Sequence, residues 1–221
     1  MYTLLCSRRY GSKNFMCDST IETLAAIFTA FGTVLVSVIA IWGDWIKAHI
    51  AGPRIALSLR DTHGDLNVTT DGKRTIYYHL NVRNRRSWSP ARAVRVMVEG
   101  VSKRRPDGSY FPDPVVTPLQ LTWAFPGFHE MFPTITVATE TCDFGYVEEQ
   151  SGRFQLSTYI APNNFKRFIA SGEAMRVIIV ASAHNGQSES PFEVEVSWDG
   201  QWSTDLNEMQ RHLVIKDVSQ R

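Results

Sequence analysis

The basic residues of this chain are concentrated in one segment, and side chains of this kind bind anions. Positions 83–105 carry eight Lys or Arg residues and one acidic residue, Glu99. Guanidinium and ammonium groups bind phosphates and carboxylates, so the segment is a candidate site for an anionic ligand or for anionic lipid headgroups. The eight residues are Arg83, Arg85, Arg86, Arg92, Arg95, Lys103, Arg104 and Arg105.

A structural role is the alternative interpretation of this segment. Arginines that alternate outward along two strands can pair with acidic residues on a neighbouring strand. We favour this interpretation, because solvated and cross-strand charges are the common case. The acidic residues available for the pairing are Glu140, Asp143, Glu148 and Glu149.

The familiar sequence motifs for catalysis and metal binding are missing. There is no nucleophile elbow, Walker loop, dinucleotide-binding fingerprint, zincin helix or paired Cys-x-x-Cys, and the six histidines show no metal-ligand spacing. Residues 61–67 (DTHGDLN) place polar ligands at alternate positions, but they lack the glycine and glutamate positions of a calcium loop. A polar hairpin explains them better. We therefore predict no catalytic residue, no metal and no cofactor, and a protein that is not an enzyme.

Composition and cysteine usage narrow the class of protein. A formal net charge of +1 and a pI of about 7.8 argue against a nucleic-acid partner, which usually requires a strongly basic domain. Cys6 and Cys17 precede a long apolar run, which leaves Cys142 as the only cysteine after it. Because no disulfide can form there, a reducing compartment is favoured.

The long apolar run predicts a single membrane anchor. Residues 24–42 (LAAIFTAFGTVLVSVIAIW) are 19 uncharged positions, and at about 1.5 Å per residue a helix of this length matches the hydrocarbon core of a bilayer. A cleaved signal peptide is the alternative, although its apolar region is usually shorter. The helix is expected to continue to residue 51, because Gly52 and Pro53 follow. The predicted interfacial residues are Trp42, Trp45 and Lys47.

These boundaries divide the chain into an N-terminal flank (1–23), a transmembrane helix with its interfacial extension (24–51) and a globular domain (54–221). Three basic residues lie on each side of the span, so the positive-inside rule gives no direction for the full sequence. A start of translation at Met16 instead of Met1 would remove the three before it, and the rule would then place the domain in the cytoplasm. Small residues four positions apart, such as Ala26 and Ala30, would permit helix pairing in a homo-oligomer.

The rest of the chain has the period-two pattern of half-buried strands. The run 175–183 (MRVIIVASA) is apolar on both faces and predicts a central strand. Three Asp-Gly pairs predict tight turns. Asp205 is expected to cap a short helix that precedes a last strand at 214–218. Residues 104–118 are predicted to form an irregular segment between strands. Trp88, Trp198 and Trp202 are expected to close the core, and an exposed recognition surface is the alternative for them. The predicted inward residues include Ile76, Tyr78, Leu80, Val82, Val94, Val96, Val98, Leu119, Leu121, Trp123, Ile135, Val137, Phe154, Leu156, Ile160, Phe192, Val194, Val196 and Trp198.

Seven or eight antiparallel strands of this kind predict a mainly β fold, a sandwich or a barrel. The order of TIYYHLNVRN, ARAVRVMVEG, MRVIIVASAHN and FEVEVSW resembles that of the immunoglobulin-like sandwiches in bacterial membrane-anchored proteins, over residues 54–202. The Cys, Trp, Cys arrangement of antibody domains is absent. The resemblance implies recognition or scaffolding, so we expect a non-enzymatic, membrane-tethered domain that binds a protein partner. The alternative is a sensor of an anionic small ligand, such as a nucleotide, held in a barrel or cup.

Overall fold

The structure is a computed structural model, and it describes residues 14–68, 70–113, 118–124, 130–163 and 165–219. The chain separates into two compact units, Met1–Ile50 and Ala51–Arg221. The described part of the first unit lies in helix α1 (Asn14–Ala51), in which Glu22–Gly43 has a mean hydropathy of 2.4 and is long and apolar enough to cross a membrane. A signal sequence near the N-terminus shares these properties, so the segment is a candidate span.

Helix α1 ends where the sequence predicts and begins earlier than predicted. It stops at Ala51, before Gly52 and Pro53, and it starts at Asn14, inside the segment assigned to the flank. The hydroxyls of Thr29, Thr33 and Ser37 donate to backbone carbonyls four residues earlier, at 2.8–2.9 Å. Three polar side chains are therefore hydrogen-bonded within the helix, which lowers their cost in an apolar medium. Of the predicted interfacial residues Trp42 is exposed, whereas the side chains of Trp45 and Lys47 lie outside those described.

The second unit is built almost entirely of antiparallel strands. The strands are β1 (Ile55–Leu59), β2 (Asp65–Val68), β3 (Arg74–Asn84), β4 (Ala91–Arg104), β5 (Tyr110–Asp113), β6 (Leu119–Gln120), β7 (Phe132–Ile135), β8 (Thr139–Glu148), β9 (Arg153–Leu156), β10 (Phe168–Ile169), β11 (Ala174–Ala183), β12 (Gly186–Gln187), β13 (Phe192–Trp198) and β14 (Leu213–Asp217). A short helix, α2 (Leu206–His212), precedes β14. The prediction of a mainly β fold is confirmed.

The strands form two sheets that share one hydrophobic core. The first sheet has the order β1-β3-β8-β9-β10, with β2 also paired to β3. The second has the order β14-β13-β11-β4-β5, and β6, β7 and β12 pair along its sides. Strand β11 lies between β4 and β13, as the two-faced apolar run predicts. The segment after β6 passes from one sheet to the other, because Leu121 N–H donates to Val96 in the second sheet while Trp123 is bridged to Cys142 in the first.

The period-two pattern identifies the core with few errors. Alternate residues of β3, β4 and β13 are buried as predicted. Val137 and Ile160 were predicted to point inward, and this is wrong, since they are 60% and 67% exposed. Both follow the last paired residue of a strand, so no sheet face directs them into the core. Trp198 is buried and Trp202 packs against the core, but Trp88 is 73% exposed and does not close it.

The prediction of an irregular excursion at residues 104–118 needs correction over its described part, since residues 114–117 lie outside the described residues, whereas the predicted cap of α2 is confirmed. Residues 104–113 are not an irregular excursion, because β4 continues to Arg104 and a turn at Asp107 and Gly108 returns the chain into β5. Gly108 has φ +85°, and Pro112 is tolerated because β5 is an edge strand. The N-terminus of α2 is capped by Asp205, which accepts a hydrogen bond from the Asn207 backbone N–H at 2.9 Å.

Candidate functional site

The structure divides the predicted basic segment into two groups. We call Arg83, Arg85, Arg86, Arg92 and Arg95 the proximal arginines, since they lie near Gly52 and Pro53, where the domain begins. Lys103, Arg104 and Arg105 form the distal basic cluster. The groups lie toward opposite ends of strand β4, and at about 3.3 Å per residue the twelve residues from Arg92 to Arg104 correspond to about 40 Å. The eight residues therefore do not form one ligand site.

The distal basic cluster is held by the domain itself. The ammonium group of Lys103 donates to the Phe168 carbonyl at 3.3 Å and lies 5.8 Å from the centre of the Phe168 ring. The Arg105 guanidinium lies 4.4 Å from the centre of the Phe111 ring. Two of the three cations are thus engaged in packing contacts, which supports the structural interpretation for this group.

The proximal arginines differ in their partners. Glu189 lies 3.0 Å from Arg54 and 3.7 Å from Arg85. The Arg86 guanidinium donates to the Gly52 carbonyl at 3.0 Å. Within the part of the chain that the structure describes, the side chains of the other three proximal arginines form no ion pair. These three are Arg83, Arg92 and Arg95.

The predicted acidic partners of these arginines were wrong. Asp143 lies beside His79, and Glu149 lies 3.7 Å from Arg74, which is outside the basic segment. Strand register explains the error, because residue Arg83 of β3 stands opposite Thr139 of β8 and not opposite an acid. The partner that the structure supplies, Glu189, follows β12 and could not be paired with Arg85 from the sequence pattern.

Asn84 organises the proximal end of the domain. Its side chain is only 2% exposed, and its oxygen accepts hydrogen bonds from the backbone N–H groups of Arg54 at 3.1 Å and Arg86 at 3.0 Å. Its amide group donates to the carbonyls of Ser89 at 2.7 Å and Ile135 at 3.3 Å. The contacts with Arg54 and Ile135 join distant segments of the chain, and those with Arg86 and Ser89 hold the loop that follows Asn84. The sequence analysis missed this residue, although an asparagine continuing the inward positions of β3 was a usable signal.

A loop at residues 85–90 connects β3 to β4 and carries Trp88 at its tip. The loop is closed by a hydrogen bond from the Ser89 N–H to the Arg86 carbonyl at 3.2 Å, and the Asn185 side chain donates to the Pro90 carbonyl at 2.9 Å. Trp88 is the most exposed of the large apolar side chains described after Phe28. Tryptophan is one of the side chains most enriched among the residues that contribute to binding, so an exposed tryptophan on a well-bonded loop is a candidate contact residue.

A cleft lies between β1 and the ends of β13 and β14. It has a volume of about 200 Å³, and its lining includes Leu57, Arg85, Phe192 and Asp217. Strand β1 bonds to β3 through its even-numbered residues, as the bonds at Arg60 and Arg54 show, so the backbone groups of the odd-numbered residues face away from β3. The Ile55 carbonyl accepts from Glu189 at 3.4 Å, and the backbone N–H and C=O of Leu57 have no partner among the described residues. The cleft therefore exposes an open strand edge.

A shallow depression of about 270 Å³ lies on the second sheet. Arg95, Ser182 and His184 line it, together with Ala93, the only residue other than glycine with positive φ (50°) in the described part of the chain. Arg95 and Ser182 are directly opposite each other across β4 and β11. The depression thus presents a guanidinium, a hydroxyl and an imidazole to solvent.

His79 lies between two carboxylates on the outer face of the first sheet. Its Nε2 is 3.1 Å from Asp65 and its Nδ1 is 2.8 Å from Asp143, although the second contact is poorly aligned for a hydrogen bond. Both ring nitrogens face acids, so neither is available to a substrate as a general base. No group of three or more His, Cys, Asp or Glu residues in the described part of the chain could hold a metal ion.

The polar segment 61–67 is a turn, as predicted, but it is not a hairpin. The Asp61 carboxylate accepts hydrogen bonds from the N–H groups of His63 at 3.0 Å and Gly64 at 2.9 Å. Strands β1 and β2 both pair with the same side of β3, so the segment is a bend that interrupts one edge of the sheet. The Asp61 carboxylate is therefore used in holding the turn.

Cys142 is buried and chemically shielded. Burial, followed by the proximity of Asp143, raises the pKa of its thiol well above the usual value, and Sγ lies 3.1 Å from the Thr122 carbonyl. A thiol that stays protonated is a poor nucleophile and a poor metal ligand.

No family model matches the chain, and no curated protein matches it.

Proposed function

We propose that this chain is a non-enzymatic, membrane-tethered interaction protein, in which an immunoglobulin-like β-sandwich binds a protein partner. The observation that carries the proposal is the open edge of β1 beside the cleft. Two antiparallel sheets around one core support the sandwich assignment, and the resemblance to bacterial membrane-anchored domains supports a binding role. Helix α1 supports the tether.

The cleft suits an extended peptide better than a small molecule. The cleft has a volume of about 200 Å³, is open to solvent and runs along the edge of β1, where an extended chain can lie. An unpaired strand edge can bond to an added strand, and flanking side chains then select its sequence. Leu57 supplies the backbone groups, while Arg85 and Asp217 supply charges of both signs. The partner proposed is therefore a protein that presents an extended segment.

Leu57→Pro tests this proposal. Proline removes the N–H group that faces the cleft, and it removes no hydrogen bond to β3. A photo-crosslinking residue at Ser190, which lines the cleft, should give a discrete adduct in native membranes when Leu57 is present, and Leu57→Pro should lose it. Leu57→Val is the matched control, because it keeps the N–H group and should keep the adduct. A chain that forms no adduct under any condition, or an adduct that persists in Leu57→Pro, would contradict the proposal.

We further propose that the domain lies in the cytoplasm. The free, buried Cys142 and the absence of a second cysteine after α1 support a reducing environment. In sealed vesicles that keep the cellular orientation, protease added outside should leave the domain intact. Digestion of the domain in intact vesicles would place it on the other side of the membrane.

A sensor of an anionic small ligand is the second candidate function. The depression at Arg95, Ser182 and His184 supports it, since Arg95 forms no ion pair with the residues described and could bind a phosphate. A nucleotide held by the native state should raise the melting temperature, and Arg95→Gln should abolish the rise while Arg104→Gln should not. Unchanged melting with every nucleotide would exclude this function.

A further inference from the structure

We propose that the loop at residues 85–90 docks onto an anionic lipid surface, with the Trp88 ring in the headgroup layer and the proximal arginines beside lipid phosphates. The inference rests on the membrane tether of the proposed function. It adds a second contact between the chain and the bilayer, made by the globular domain itself.

The connection between the loop and the first residues of the domain carries the argument. Arg86 bonds to the Gly52 carbonyl, and Asn84 binds the backbone N–H groups of both Arg54 and Arg86. The base of the loop is therefore fixed to the residues that follow α1 directly. Few residues of the chain therefore separate the base of the loop from the end of α1.

Chain length sets how close the loop must be. The candidate span ends at Gly43, and the nine residues to Gly52 cover at most about 14 Å as a helix. The headgroup layer takes up about 5–8 Å of that distance on each side of a bilayer. Trp88 lies two residues beyond Arg86, and each residue can extend about 3.3–3.6 Å. The indole ring can therefore reach the headgroup layer.

The side chains of the loop suit lipid better than protein. Trp88 is 73% exposed, and its flat ring with one polar N–H is the side chain most typical of membrane interfaces. Its neighbours in the loop, Ser87, Ser89 and Pro90, offer little apolar area for the core of a protein interface. A single aromatic residue without an apolar patch around it can still enter a headgroup layer, where no complementary shape is required.

Charge favours an anionic surface. Residues 83–98 contain five arginines and no acid, and the single carboxylate of Glu189, which pairs with Arg54 and Arg85, offsets only one positive charge. Arg83 and Arg92 form no ion pair with the residues described, so their charges remain available. Each basic residue near an anionic membrane shifts the docking equilibrium by about fivefold.

Depth-dependent quenching of Trp88 fluorescence tests the proposal. Full-length protein is reconstituted into vesicles of phosphatidylcholine, with or without phosphatidylserine and with brominated acyl chains as quencher. The Trp88 signal is the difference between wild type and Trp88→Phe, so that the other five tryptophans cancel. We expect this signal to be quenched by the brominated lipid and protected from aqueous iodide, more strongly when phosphatidylserine is present.

Charge variants distinguish docking from chance proximity. Arg83→Gln with Arg92→Gln should lower the ratio of docked to free loop by about 25-fold, from two charges at about fivefold each. Arg104→Gln with Arg105→Gln removes the same charge from the distal basic cluster and should leave the ratio unchanged. Equal effects from the two pairs would overturn the proposal, because the effect would then follow net charge alone.

The remaining outcomes separate the two proposals. If the chain does not float with vesicles after an alkaline wash, the tether itself fails. If the chain floats but iodide quenches the Trp88 signal and brominated lipid does not, only the docking proposal fails. If Trp88 is protected in native membranes and accessible to iodide in pure lipid, the loop binds a protein, and the lipid proposal is equally overturned.

Discussion

The side-chain oxygen of Asn84 accepts a hydrogen bond from the backbone N–H of Arg54 at 3.1 Å, which joins the last residue of β3 to the segment that leaves α1. The same oxygen accepts from Arg86. A buried amide group with all its hydrogen bonds made is stabilising, whereas its removal leaves buried donors without partners. Asn84 therefore holds the beginning of the domain and the Trp88 loop together.

Asn84→Ala should destabilise the domain by about 2–4 kcal/mol, because each unsatisfied buried group costs about 1–3 kcal/mol. Urea unfolding of the full-length protein in detergent, monitored by near-ultraviolet circular dichroism, measures the change. Asn81→Ala is the matched control, since Asn81 is on the same strand but on its outer face, and it should change the stability by less than about 0.5 kcal/mol. Equal effects of the two substitutions would show that the Asn84 bonds contribute nothing special.

A substitution at Gly145 tests how closely β8 packs against the neighbouring strand β9. The register of β8 against β3 shifts between Tyr78 and His79, where Gly145 stands opposite Tyr78. A Cβ atom on Gly145 would collide with the Phe154 ring and lie 2.6 Å from the Gln155 carbonyl. Gly145→Ala should therefore cost about 3 kcal/mol or more, as overpacking of a core does.

Gly152→Ala is the comparison for Gly145→Ala in the same urea titration. Gly152 has φ +56° and nothing within 4 Å of an added Cβ, so alanine there should cost only about 1–2 kcal/mol of left-handed backbone strain. A smaller loss in the free energy of unfolding for Gly145→Ala than for Gly152→Ala would contradict close packing between β8 and β9.

The sequence predicted what depends on local pattern and missed what depends on pairing. Period two placed Ile76, Tyr78 and Leu80 on one face, because that periodicity follows from strand geometry. It could not show that Glu189 would be the partner of Arg85, since the two residues are a hundred positions apart and meet only after the sheets assemble. The prediction for Val137 was wrong for a related reason: apolar and polar residues continue to alternate in the sequence after Ile135, where β7 ends.

The candidate sites follow the same rule. Arg83, Arg92 and Trp88 were recognisable as residue types that bind anions or interfaces. Their separation from Arg104 along β4, and the exposure of Trp88, required the length and direction of the strands. The cleft beside Leu57 was not predictable from the sequence. A strand has an open edge when no other strand pairs with it on that side, and this depends on how the sheet assembles.

Because the thiol of Cys142 is buried, we expect the domain to lose stability at alkaline pH. Burial raises the pKa of its thiol in the folded state, whereas the unfolded thiol ionises above about pH 8.5. The unfolded state then binds fewer protons than the native state, so the free energy of unfolding falls as the pH rises. Between about pH 7.5 and 9.5 the fall should be on the order of 1 kcal/mol. Burial also raises the pKa of Tyr78, which extends the fall to higher pH.

The Cys142→Ala variant isolates the thiol contribution. Its stability should be lower by a constant amount, from the lost packing, and nearly independent of pH in this window. Unfolding free energies at several pH values provide the measurement, and iodoacetamide labelling of Cys142 only after unfolding gives an independent check. A native protein whose Cys142 reacts rapidly at neutral pH would be inconsistent with the buried position.

Because the carboxylate of Glu195 pairs with Arg176, we also expect the domain to lose stability as the pH falls into the acid range. Partial burial alone would raise the pKa of its carboxyl group, but the Arg176 guanidinium, 2.9 Å away, together with Tyr110 and Lys216, outweighs that effect and lowers it. Arg176 also lies 4.1 Å from the centre of the Tyr110 ring, which fixes its position. The stabilisation is therefore complete above the ordinary pKa of a glutamate, about 4.3, and is lost as the pH falls through the lowered value in the folded state.

Glu195→Gln should remove this acid dependence at a cost of roughly 1 kcal/mol at neutral pH, because the pair is only partly buried. Below about pH 4 the variant and the wild type should converge in stability, since the wild-type carboxylate is then progressively protonated. Glu99→Gln is the matched control: Glu99 is an exposed residue of β4 without an ion pair among the residues described, and its replacement should leave the acid slope unchanged. Urea unfolding of the three proteins between about pH 3 and 6 decides the matter, and a slope that survives in Glu195→Gln would assign the acid sensitivity to another carboxylate.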